Sequence, residues 1–133
     1  MIFDGHGDVW TDVTCRAVDH GERDIFRKHH LHKFQEGGVT GGIFVIWIDP
    51  PYDSDPVKRS KQIVKSIKQE MEDSADILNF VKKYDDLESD SKNNSFPPYF
   101  IVYDNGDDLI NKYCSLIDRL EKGNETFKNS PKS

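Results

Sequence analysis

Three potential metal ligands crowd the start of the chain: Asp4, His6 and Asp8, in the run Ile2-Phe3-Asp4-Gly5-His6-Gly7-Asp8. His6 and Asp8 are two positions apart, so a strand continuing through them sends both side chains to one face, together with Asp4. Imidazole nitrogen and carboxylate oxygen both ligate zinc and other first-row divalent metals. Gly5 and Gly7 would let the backbone close around an ion, and Trp10 could wall the cavity. The same residues also make a polar turn, and two ligands fall short of the three or four that zinc takes. A second histidine group spans residues 29–32, with His29 and His32 three apart. A solvated helix end before Gly37-Gly38 is the simpler reading there.

The elements that would position these groups alternate. Ile2 to Asp4 reads as a short strand. A helix is expected from about Glu22 to Gln35, ended by Gly37-Gly38. The apolar run Gly42 to Asp49 reads as a strand covered on both faces, stopped by Pro50-Pro51. Asp55-Pro56 is a capping residue followed by proline at the first helical position, and Ile63, Val64, Ile67 and Met71 follow at helical spacing. A break or second short helix is expected near 73–76, ahead of Ile77, Leu78 and Val81. Residues 85–94 read as a loop, 98–104 as a third strand, and Leu109 to Leu120 as an amphipathic helix. This predicts an α/β unit, β-α-β-α-β-α, with three mainly parallel strands over residues 1–123 and a flexible tail over 124–133. Chemistry on such sheets sits at the carboxyl ends of strands, and the three expected strands end in Asp4 to Asp8, Asp49 and Asp104.

The 133 residues suit one domain, with 35% apolar residues for a core and 32% charged residues giving a net charge of −6. Lysine and arginine are scattered rather than striped, which argues against a nucleic-acid partner. The longest apolar run is far short of the roughly 20 residues that cross a bilayer, so no membrane partner is expected. Only Ile2 and Phe3 precede Asp4, and Cys15 and Cys114 form no disulfide framework; a cytoplasmic, reducing setting is the simplest expectation. The glycine pairs at 37–38 and 41–42 match neither phosphate-loop nor dinucleotide spacing.

Residues 1–14 and 25–53 resemble the amino-terminal part of the membrane (renal) dipeptidase family, and the likeness continues more loosely to about residue 120. The resemblance implies a zinc-dependent peptidase on a TIM barrel, of which this chain would supply about the first third. It implies metal roles for His6 and Asp8 in a two-zinc site, where metal-activated water cleaves a dipeptide. The family's bridging glutamate corresponds here to Asn105, a neutral and weaker bridge, with Asp104 as the adjacent carboxylate. A closed eight-stranded barrel takes about 250 residues, so the expectation is a metallo-dipeptidase relative that is inactive as an isolated chain. The alternative is a non-catalytic α/β binding or self-association domain, using an uncovered sheet edge.

Overall fold

The computed structural model describes residues 2–81, 99–102 and 114–123. The loop expected at 85–94, the helix start at 109–113 and the tail at 124–133 lie outside these residues. Strands β1 (Ile2–Gly7), β2 (Val39–Phe44), β3 (Leu78–Val81) and β4 (Tyr99–Val102) form one sheet in the order β1-β2-β4-β3, and every pairing is parallel. Helices α1 (Val9–His20) and α2 (Leu31–Gly37) connect β1 to β2, and α3 (Pro56–Asp73) connects β2 to β3. Residues 114–123 form α4. The parallel α/β alternation read from the sequence is therefore present, as in a partial barrel-like unit, with four strands among the described residues where three were expected.

Two stretches differ from expectation, and a third, left unassigned by the sequence, is helical. Residues 9–20 are helical although Val9, Trp10, Thr11, Val13, Thr14 and Val18 are β-branched or aromatic. Burial of Val9, Trp10, Val13 and Thr14 on one helical stripe outweighs their weak propensity. Residues 78–81 are a strand, because they pair along their whole length with β4. The run at 42–49 begins its strand earlier and ends it sooner. Val45 donates to the Gly7 carbonyl at 3.0 Å, and beyond it the chain leaves the ladder, with Ile46 and Ile48 packed against the core. Gly42 is required where β2 meets β1, since a Cβ there would lie 2.8 Å from the Asp4 carbonyl oxygen.

The core fills one side of the sheet. Phe44 meets Trp10 edge-on, ring centroids 5.5 Å apart, and packs near Phe26 and Phe34. Ile63 and Ile67 of α3 and Leu78 of β3 complete it. The cap read at Asp55 is formed, its carboxylate accepting the Lys58 N–H at 3.1 Å. Between α1 and α2 the chain makes one π-helical turn, Phe26–His30. That turn is pinned by Glu70 of α3, which is 2% exposed. The Glu70 carboxylate accepts from the backbone N–H of Ile25 (3.0 Å) and Phe26 (2.7 Å), and from the Ser74 hydroxyl (2.9 Å).

Beside it, Arg23 donates from Nε and Nη2 to the two oxygens of Asp73, at 2.7 and 2.6 Å. Asp24, with φ of 56°, sits in the left-handed region that aspartate tolerates better than most residues. Its carboxylate is engaged by Arg27 and Ser74.

Glu70→Ala would leave the Ile25 and Phe26 N–H groups buried without acceptors, and urea unfolding is expected to show a loss of about 3 kcal/mol or more. Glu70→Gln keeps an acceptor and is expected to lose clearly less. Arg23 holds the Asp73 carboxyl down to about 2 from the ordinary 3.8. A lowered carboxyl contributes its stability in full above its unfolded pKa and loses it as pH falls through the folded one. The stability difference between wild type and Asp73→Asn, followed by urea melts, should therefore shrink between about pH 4 and pH 2. A difference that stays constant across that range would contradict the ion pair.

Candidate functional site

The amino-terminal motif is solvent-facing. His6 lies in β1 and Asp8 is the N-cap residue of α1, where its side chain makes no capping bond. His6 Nε2 and Asp8 Oδ1 are 3.6 Å apart, with the side chains 69% and 62% exposed. Asp4 does not join them as a ligand. Its Oδ1 accepts the His6 backbone N–H at 3.0 Å, which ties it to the local turn. Among the described residues there is no group of three or more His, Cys, Asp or Glu side chains that could hold a metal ion. Asp104 and Asn105 lie outside the described residues. Asp49 lies past the end of β2, its carbonyl accepting the Tyr52 N–H at 2.9 Å.

Two members of the second histidine group are engaged by acidic side chains. His29 Nε2 lies 2.6 Å from Glu22 Oε2, and His30 Nε2 lies 2.8 Å from Asp12 Oδ2. Arg16 bridges the two acids. Burial pushes the His30 pKa below the ordinary histidine value, against the pull of Asp12, so the ring is neutral at pH 7. His32 stands apart on the exposed side of α2.

The structure assembles a different cluster that the motif search missed. Cys15 of α1, Tyr52 in the short 3-10 turn Tyr52–Ser54, and Arg59 of α3 meet at the amino end of α3. The Arg59 guanidinium carbon lies 3.5 Å over the Tyr52 ring. Tyr52 donates to Asp19 at 2.9 Å. That bond, with Cys15 beside the hydroxyl and partial burial, pushes Tyr52 up to about 12. In the sequence these residues are separated by whole elements, and none forms a motif; the Asp55-Pro56 helix start was the one available signal.

The fold is that of a small α/β domain with parallel strands and flanking helices. No protein-family model, curated protein or solved structure matches the chain. The zinc-dependent dipeptidase reading is thereby corrected. The expected metal ligands form no cluster among the described residues, and the resemblance gains no support from these comparisons. The zinc cofactor and the hydrolase, metallopeptidase and TIM-barrel identities fall with it. The described strands keep the parallel alternation of a partial barrel-like unit, in the order β1-β2-β4-β3. No described helix is long and apolar enough to cross a membrane.

Adding zinc to the purified chain is expected to leave its melting temperature unchanged, because a ligand stabilises only a state that binds it. Stoichiometric zinc that disappears in a His6→Ala, Asp8→Ala variant would restore the metal reading.

Proposed function

We propose that the chain is a non-catalytic α/β domain that associates with a second copy of itself through the β1 edge of its sheet. The observation that carries this reading is a group of large apolar side chains left in solvent. Ile2, Phe3, Ile43 and Trp47 are 54%, 47%, 43% and 59% exposed. The register pairs Phe3 with Gly41, so Phe3 and Ile43 share the face opposite Phe44 and the core. Parallel sheets are ordinarily covered on both faces, and large apolar side chains left exposed beside a free strand edge fit an interaction site.

The occupant follows from the edge. Among the described residues β1 pairs on one side only, with β2. Two copies related by a twofold axis would set β1 antiparallel to its own equivalent, which satisfies free ladder groups on both. Ile2 and Phe3 lie on that strand, so the same operation carries them to the boundary between the copies. Pairing of the two β1 edges answers the exposed strand, and Ile2 and Phe3 on that strand are the apolar side chains carried toward the contact.

Light scattering or sedimentation should find a dimer whose population rises with concentration. A Phe3→Lys variant should be monomeric where the wild type is dimeric, with a melting temperature that no longer rises with concentration. A wild-type chain that stays monomeric up to about 1 mM, the weak end of measurable association, would overturn the reading.

A further inference from the structure

Arg59 is 4% exposed, yet among the described residues it makes no ion pair with any carboxylate. Nη1 donates to Gln62 Oε1 at 3.2 Å and Nη2 to Cys15 Sγ at 3.1 Å. A guanidinium carries five N–H donors, so two single hydrogen bonds leave most of its capacity unused. A buried charge without a counter-ion is costly, and a cation–π contact with Tyr52 offsets only part of that cost. The arrangement is stable in its own right, but it is incomplete electrostatically.

A cavity of about 270 Å³ opens against this guanidinium. Tyr52 and Gln62 line it beside Arg59, Ser54 stands at its rim, and Lys58 adds a second cation. The amino end of α3, whose dipole favours negative charge, borders the same space. Asp19 and Asp55 also line it, each already accepting a hydrogen bond, from Tyr52 and from the Lys58 N–H respectively. Two cations and two carboxylates leave the lining near neutral overall. That balance disfavours a dianion while keeping a local fork for a single negative group. Tyr52 stacked beneath it and Gln62 and Cys15 at its tips hold the fork in one orientation.

We infer that this cavity binds a small monocarboxylate, its two oxygens taken by the Arg59 fork, with Lys58 closing over the anion. Arginine matches a planar carboxylate with two parallel hydrogen bonds, which lysine cannot do. The volume lies just under the roughly 300–1,000 Å³ of small-molecule sites, so the ligand is compact rather than polymeric. The site is separate from the sheet face, and its test is independent of self-association.

The test is titration of the intact chain with acetate and benzoate, and with inorganic phosphate and chloride at matched ionic strength, reading the Arg59 Nε–H resonance and the melting temperature. A monocarboxylate should give a saturable shift of that resonance and raise the melting temperature, with phosphate weaker and chloride silent. Arg59→Lys keeps the charge but loses the fork, and should weaken binding about tenfold or more. Should that variant fold poorly, Ser54→Phe fills the mouth from an exposed position and should abolish binding with an unchanged melting temperature. No saturable shift with either carboxylate would overturn the inference. So would a shift undiminished in Ser54→Phe, or phosphate binding that equals or exceeds the carboxylates.

Discussion

One buried carboxylate joins the crossover from β1 to β2 with the crossover from β2 to β3. Glu70 belongs to α3, which links β2 to β3, and the backbone groups it receives belong to the segment linking β1 to β2. Without it, the chain entering the π-helical turn would present two N–H groups to an apolar interior, where unmet donors are expensive. With it, Ile25 and Phe26 are delivered into the core at fixed depth, and Phe26 meets Phe34 and Phe44. The surrounding charged pairs, Arg23 with Asp73 and Arg27 with Asp76, gather at the same seam, where Asp73 is mostly covered while Arg23 and Asp76 stay exposed. A pair as exposed as Arg27 with Asp76 contributes little on its own. The buried acceptor sets the geometry, and the outer pairs follow it.

The sequence was legible wherever local chemistry and tertiary packing agreed. Asp55-Pro56 starts α3 because a cap and a proline at the first turn are local devices, and Ile63, Val64 and Ile67 then face the core as their spacing requires. The amino-terminal strand and the strand at 99–102 were also readable from their apolar runs. Helix α1 was not, because its β-branched residues point locally toward a strand and only burial against α3 and Phe44 decides otherwise. The spacing of Val9, Val13 and Ala17 was the overlooked sign, with Gly21 closing the helix in the left-handed region. Residues 78–81 carry too few positions for periodicity to separate helix from strand, and β4 decides the matter from outside the segment.

The metal reading illustrates a different gap. Spacing of two in an extended chain does put His6 and Asp8 within 3.6 Å of each other. Ligand number and enclosure come from other parts of the chain, and here Asp4 turns inward on its own backbone while solvent surrounds the pair. Arg59 shows the reverse case. Nothing near it in sequence marks it, yet three separate elements converge to bury it against Tyr52 and Cys15.

The position of β4 has a consequence for assembly. Because it is wedged between β2 and β3, the sheet cannot be completed in the order in which the chain is made. β1 and β2 can zip together early, and α1 and α3 can dock on them, but β3 has no ladder partner among the described strands until β4 arrives. Closing that gap requires contact between Gly41 and Phe100, far apart in the chain, and non-local contacts of this kind slow folding. The nascent polypeptide thus spends its earliest moments with a gap in mid-sheet, and the last strand to arrive acts as its keystone.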